Sequence, residues 1–299
     1  MEMTYKVDPF LAWIQTVSMA AWDMGKGISC DEQTIGFKGN HADKQRINYK
    51  KEGDVFLADS LSDNGYTYTF YLQNMPAPKH YIQKKCSPLH SRVPFMFDQL
   101  KDKYHVCGLD NLCNSTKFCR EAFSGKNAVM VHGVTRKSGH GLPSCVLQEE
   151  IKNAKDAEKV RGRTKAAVLE GDEVCPNLVA FSVYDTKPVQ FLSMSCTSLT
   201  WIEKVKKVFD KKEQRNVNMK FLRCNVTDEY NNGMNGVDVA DQLRGSYRID
   251  RWMRKRKWWW ALWMWGFQLL LVNAYVLYKT AHLILWKKNK KTIISQYEF

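Results

Sequence analysis

Three aspartates that stand far apart in the chain, Asp31, Asp110 and Asp238, have the residue type and setting for phosphodiester chemistry. Cutting and joining phosphodiesters needs little covalent help from a protein. It needs charge neutralised on the phosphoryl group and the attacking and leaving oxygens held in line. A pair of divalent cations about 3.5–4 Å apart does both, and Asp or Glu oxygens are hard ligands suited to them. The pattern to look for is therefore a few aspartates, distant in sequence, each at a strand end or helix start. Asp31 lies in the run ISCDEQTIGFKG beside Glu32. Asp110 closes YHVCGLD, just before a polar turn. Asp238 stands in NGMNGVDVADQL at the start of a helix, and Asp241, three positions on, shares its face. Each residue taken singly also has a plainer reading: an exposed strand carboxylate at Asp31, an Asx turn at Asp110, and first-turn acids that suit the helix dipole at Asp238 and Asp241.

The elements that must position these residues can be read from periodicity. Residues 8–24 carry Phe10, Leu11, Ile14, Val17 and Ala21 at near-helical spacing, with Gly25 and Gly27 as the stop. Three β-type runs follow, ISCDEQTIGFKG, GDVFLADSLS and YTYTFYLQN, and Asp63-Asn64-Gly65 is a tight-turn signal between the last two. A helix is expected over 88–103, a strand ending at Asp110, a helix capped within Asn114-Ser115-Thr116, and a strand over 128–135. The charge-rich stretch 148–173 reads as an insertion or an exposed helical arm. Strands LVAFSVYD and VQFLSMSC join through Lys187-Pro188, and an amphipathic helix is expected from Leu199 to Phe209, leading into a polar loop. A long helical region is expected from Gly236 to about Trp286. Three antiparallel strands followed by strands alternating with helices is the order of a ribonuclease H-like α/β domain.

Charge narrows the partners. The 299 residues hold 45 Lys and Arg against 31 Asp and Glu, a net +14, which favours a polyanion, nucleic acid or an anionic membrane. Seven basic residues, Arg244, Arg248, Arg251, Arg254, Lys255, Arg256 and Lys257, cluster just after Asp238 with only Asp250 against them. They are candidate contacts to DNA phosphates, and the same run also reads as a solvated helix face or a nuclear-import patch. Tyr247 and Trp252 lie among them, as packing residues or as stacking partners for bases. The nine cysteines include no C-x-x-C pair and no matching histidine pair, which argues against zinc and for free thiols in a reducing compartment. No signal peptide is read at the N-terminus. Residues 258–278, WWWALWMWGFQLLLVNAYVLY, are apolar enough to span a bilayer, so a single-pass membrane protein is a rival reading, set against a helix buried in a large core.

Four motifs carry a family resemblance from about residue 25 to the C-terminus. The run Asp31-Glu32-Gln33-Thr34-Ile35-Gly36-Phe37-Lys38-Gly39 resembles the first-aspartate signature of piggyBac-type transposases. His105-Val106-Cys107-Gly108-Leu109-Asp110-Asn111 is similar to that family's second-aspartate strand, although Leu112 stands where an aromatic is usual. Asn235-Gly236-Val237-Asp238-Val239-Ala240-Asp241-Gln242 is similar to the segment with the third aspartate and a nearby fourth. Lys257-Trp258-Trp259 and Val272-Asn273-Ala274-Tyr275 match the helices that follow.

The resemblance implies a ribonuclease H-like core with an insertion between the second and third aspartates. The corresponding divisions are a helical lead-in at 1–24, core at 25–135, insertion at 136–177, and core with C-terminal helices at 178–299. It implies Asp31, Asp110 and Asp238 as ligands of two Mg2+ (or Mn2+) ions, with Asp241 at the edge of the site. The implied reactions are DNA nicking, hairpin formation and strand transfer into TTAA sites, by a nuclear protein that binds double-stranded DNA, as a homodimer, with no membrane role. Family members also carry a long N-terminal region and often a Cys/His zinc-binding tail, and neither pattern is read here. The alternative is therefore a domesticated or truncated derivative that binds DNA without cutting it.

Overall fold

The computed structural model describes residues 5–48, 53–75, 88–137, 141–153, 156–157, 160–196, 200–210, 213–247, 249, 257–284 and 293–299. The chain divides into two units. Unit 1 is discontinuous, Met1–His105 with Asn235–Phe299, and unit 2 is Val106–Met234.

Unit 1 opens with helix α1 (Asp8–Ala21), which starts at a proline and buries Leu11, Ile14 and Ser18. It ends three residues before the expected stop, where Trp22 turns extended. Strands β1 (Gly27–Gly36), β2 (Gln45–Arg46), β3 (Asp54–Asp63) and β4 (Tyr66–Leu72) follow. β3 pairs antiparallel with β1, with β4 and, at its start, with β2. The expected tight turn joins β3 to β4, with Asn64 at φ 48° and Gly65 at φ 92°, the left-handed pair that a two-residue hairpin loop requires. Helix α2 spans Pro88–Phe97, shorter than its apolar pattern suggested.

The expected long C-terminal helix is described as two helices in unit 1, named α5 (Gly236–Tyr247) and α6 (Trp258–Ile284) after the elements of unit 2. α6 is long and apolar enough to cross a membrane by length and composition. Its apolar side chains are nonetheless engaged within unit 1. Leu262, Trp265 and Leu269 share a core with Leu11 and Ile14 of α1, Ile35 of β1, Phe56 of β3 and Phe70 of β4. Trp265 stands edge-on to Phe70, ring centroids 4.7 Å apart. A helix closed in on several sides needs this all-round apolarity. Gln268 and Asn273, the two clearly polar residues within 258–278, are also buried. Asn273 Oδ1 accepts from Thr67 N at 2.9 Å, and its Nδ2 donates to Thr67 O at 2.9 Å and to Ser18 Oγ at 3.0 Å. The amide thus completes β4 as a neighbouring strand would.

Unit 2 runs β5 (Val106–Leu109), α3 (Thr116–Phe123), β6 (Met130–Thr135), a short 3-10 turn, β7 (Thr164–Val168), β8 (Val179–Tyr184), β9 (Pro188–Ser193), β10 (Trp201–Asp210), β11 (Arg215–Cys224) and α4 (Asn225–Gly233). Its sheet has the order β5-β6-β9-β8-β7 and is mixed: β5 and β6 are parallel, the other pairs antiparallel. Phe181 stacks on Phe191 at 4.8 Å, and Tyr230 of α4 closes edge-on over Phe191 at 5.5 Å. As expected, Ser115 caps α3, its hydroxyl accepting from Phe118 N at 3.2 Å.

Two expectations are corrected here. Residues 164–168 lie in the stretch read as an insertion or an exposed helical arm; they form β7 and not helix, because the edge of β8 offers a ladder that local propensity does not outweigh. The helix expected from Leu199 to Phe209 and the polar loop after it are a two-stranded ribbon, β10 paired with β11. The apolar residues Ile202, Val205 and Val208 suit helical spacing, but their β-branching and a matching partner strand decide for β. Among the described residues every cysteine is a free thiol, as the odd count suggested.

Candidate active site

Asp31 sits in the middle of β1, opposite Ser60 of β3. By strand alternation it shares a face with Ser29 and Gln33, and the helices hold both of those neighbours. Ser29 Oγ accepts from Val237 N at the start of α5, at 3.1 Å, and donates to Ser62 O at 3.3 Å. Gln33, fully buried, accepts from Trp265 Nε1 of α6 at 3.0 Å and donates to Thr67 Oγ1 at 3.3 Å. α5 approaches so closely that a Cβ on Gly236 would lie 2.4 Å from Ser29 Oγ. Glycine is therefore required at the position two before Asp238. Asp238, in the first turn of α5, is exposed. Asp31 and Asp238 thus come from touching elements of one unit, although most of the chain separates them in sequence. The Asp31 carboxylate also accepts from the Glu32 backbone N–H at 2.7 Å.

Asp241 pairs with Arg244 at 3.1 Å, and the same guanidinium nitrogen donates to Thr34 O of β1 at 3.0 Å. Arg244, one of the seven predicted DNA contacts, is thus placed where it fastens α5 to β1. Lys257 is exposed just ahead of α6. Arg248, Arg251, Arg254, Lys255 and Arg256 lie outside the described residues.

The opposite face of β1 holds a polar cluster that sequence reasoning missed. Glu32 stands across from Asp59 of β3. Gln73 Nε2 bridges them, 2.9 Å from Glu32 Oε1 and 2.7 Å from Asp59 Oδ1. Arg92 of α2 donates through Nε to Asp59 Oδ2 at 2.5 Å. Burial pushes the Asp59 carboxyl above its ordinary value, the Arg92 charge and hydrogen bond pull it back, and Glu32 adds to the rise. The cluster anchors β1 at the residue next to Asp31. One signal was available: an aspartate inside the apolar run VFLADSLS and an arginine inside an apolar helix each need a buried partner.

In unit 2, Asp110 is the exposed residue that follows β5, at the carboxyl end of a parallel strand, where open α/β sheets bind ligands. Asn114, fully buried, holds the loop after it. Its Nδ2 donates to Gly133 O at 2.7 Å and its backbone carbonyl accepts from Thr135 Oγ1 at 2.8 Å. β5 lies so close to β6 that a Cβ on Gly133 would be 2.1 Å from Leu109 O.

The donor set fits a hard divalent cation in chemistry: aspartate oxygens, with neither thiol nor imidazole among them. Among the described residues no group of three or more His, Cys, Asp or Glu side chains gathers to hold a metal.

The sequence profile of a DDE-type family described as Transposase IS4 matches residues 2–275. The chain belongs to that family. Divalent-metal dependence is general in DDE transposases. The structure is similar to that of piggyBac transposase in a cryo-EM synaptic complex with hairpin DNA. The TM-score is 0.72 at 16% identity, over 98% of this chain and 54% of that one. The chain therefore spans about half the length of that piggyBac transposase chain. No curated protein sequence matches it. The mixed α/β fold of this transposase-family chain is that of piggyBac transposase, whose catalytic core is ribonuclease H-like, as the motifs implied.

Proposed function

We propose that this chain is a catalytic core for metal-dependent DNA cleavage and strand transfer, with Asp31, Asp110 and Asp238 as its carboxylates. The observation that carries the reading is the placement of Asp31 and Asp238. The strand bearing the first aspartate motif is fastened directly to the helix start bearing the third, through Ser29 and Val237. When bound, Mg2+ or Mn2+ ions neutralise the phosphoryl charge and activate the attacking oxygen. The protein's part is to hold ligands still. Ser29 and Gln33 fix the face of β1 from which Asp31 projects, Arg244 ties α5 to β1, and Asn114 holds the loop after Asp110. Asp241, paired with Arg244, acts at the edge by setting where that guanidinium lies.

Hairpin-ended duplexes as substrates, TTAA as target and a homodimer as the working assembly belong to the same reading, carried from the resemblance and from the hairpin DNA of the similar structure. The test is nicking of labelled duplex DNA in Mn2+ by the parent chain and by Asp31→Ala, Asp110→Ala and Asp238→Ala. Each variant should lose activity by at least about a hundredfold while still binding DNA, in keeping with the several kcal/mol that metal-assisted charge stabilisation supplies. Unchanged nicking in any one of them removes that residue from the site. A parent chain that binds DNA and never cuts it would leave the derivative without chemistry as the better description.

A further inference from the structure

We propose that the β10–β11 ribbon is a contact element for duplex DNA, with its outward face in the major groove; this rests on the DNA-processing reading above. Among the described residues the two strands pair only with each other, in unbroken register from Trp201 opposite Cys224 to Asp210 opposite Arg215. At ~3.3 Å per residue each strand runs about 33 Å. A lone two-stranded ribbon is marginally stable in water, and this one exposes Val205 at 58%. Between Trp201 and Cys224 the sequence has eight Lys and Arg against three acids.

The root of the ribbon fixes which way it faces. Asn225 N donates to Thr200 O at 2.9 Å and Thr200 N to Asn225 Oδ1 at 3.1 Å. Lys204 and Arg223 reach Asp228 of α4 at 2.7 and 3.1 Å. Side chains alternate, so the face holding Lys204 and Arg223 is the one turned to α4. The other face presents Glu203, Val205 and Lys207 from β10 and Asn216, Asn218 and Lys220 from β11, all exposed. Glu203 is neutralised by Lys220 at 2.9 Å.

This set matches what base edges offer in the major groove. Lysine donates to guanine O6 and N7, asparagine bonds adenine at N6 and N7, and an apolar group meets the thymine methyl. The groove is about 12 Å wide and admits a two-stranded ribbon. An acidic protein partner would be served by a cluster of apolar anchors at the centre of the face; among the side chains described there, Val205 is the apolar one and the rest are polar or charged.

The full chain, without divalent cation so that no strand is cut, is titrated against a mixed-sequence duplex of about 30 base pairs, long enough for a protein footprint. The parent is compared with Lys207→Gln/Asn218→Ala, which leaves the Glu203–Lys220 pair intact. The variant should bind about tenfold more weakly, and its slope of log K against log salt should fall by about 0.9 for the one cation removed. Lys207→Arg should restore binding, and circular dichroism should be unchanged throughout. Duplex methylated at guanine N7 should bind the parent several-fold more weakly and the variant little differently. Equal binding by parent and variant, or indifference of the parent to N7 methylation, overturns the ribbon's role and leaves the DNA-processing reading standing. Competition by poly-glutamate as effective as by duplex also overturns it, in favour of an acidic protein partner. A parent that binds no duplex at all removes both.

Discussion

Replacing Arg92 with methionine removes the cation facing Asp59 while keeping much of the volume. Both side chains are buried, 8% exposed for Arg92 and 3% for Asp59, and Nε to Oδ2 is 2.5 Å. The Gln73 hydrogen bond to Asp59 remains in the variant, but an amide does not compensate a buried charge. Breaking one side of such a pair costs about 3–5 kcal/mol. The sign of the pH dependence follows from Asp59, whose carboxyl is already above its ordinary value through burial, with Arg92 as the main opposing influence. Without Arg92 it rises further. A carboxyl whose folded pKa exceeds its unfolded value binds more protons when folded, so its penalty is present above the folded pKa and fades as pH falls toward the unfolded value. R92M should therefore be most destabilised at neutral pH and approach the parent in acid. Urea unfolding followed by tryptophan fluorescence reads this cleanly, because every tryptophan except Trp201 belongs to unit 1. With a slope of about 2–3 kcal/mol per molar urea, the midpoint should fall by about 1–2 M at pH 7. In the double variant D59N/R92M the loss should be smaller than the two single losses added. An R92M midpoint within a few tenths molar of the parent at pH 7, unmoved by acid, refutes the account of the buried cluster.

Asn273→Leu should destabilise unit 1 by about 2–4 kcal/mol, since it strands both backbone groups of Thr67; a urea midpoint equal to the parent's would contradict this. His132 is held down to about 4 by burial, with its Nε2 facing the Val226 carbonyl. The neutral ring therefore supports folding above the unfolded value near 6.5, and unit 2 should lose about 3 kcal/mol as pH falls from 7 to 4, at ~1.4 kcal/mol per pH unit. Hydrogen exchange of β6 and β9 against pH checks it, and His132→Gln should flatten the profile. Gly133→Ala drives a methyl into Leu109 O, next to Asp110. It should cut Mn2+-dependent nicking far more than the same change at Gly233, which has open space around it; equal effects would show that β5 tolerates the shift.

The three-strand start of unit 1 was readable because alternation, a two-residue turn and flanking breakers all agree at residues 28–73. Asp31, Asp110 and Asp238 stood out by motif, and the Ser115 cap by residue type. The Ser29–Val237 bond and the Asp59–Arg92 pair were not readable, because each joins residues whose nearness depends on tertiary packing and not on any local period. The ribbon was misread for a physical reason as well. WIEKVKKVF suits either a helical or a strand period, and only the partner NVNMKFL, which has no signal by itself, settles the matter. The apolar segment 258–278 has a length and composition that suit a membrane span or a buried helix, and it was the family resemblance that favoured the core.

Unit 1 is closed by chain that the ribosome makes only after the whole of unit 2. Residues 1–105 leave the tunnel with β1 lacking the helix contacts at Ser29 and Gln33, while unit 2, contiguous in sequence, has all its strands before residue 235 is added. At the usual ~5–20 residues per second, the first strand waits about 10–40 s for α5 and α6. During that interval Trp265 is not there to accompany Gln33, and the apolar sides of α1 and β4 stand open to chaperones or to one another. A nascent chain stalled short of residue 258 would carry every aspartate named above and still lack the helix that sets the first of them in place.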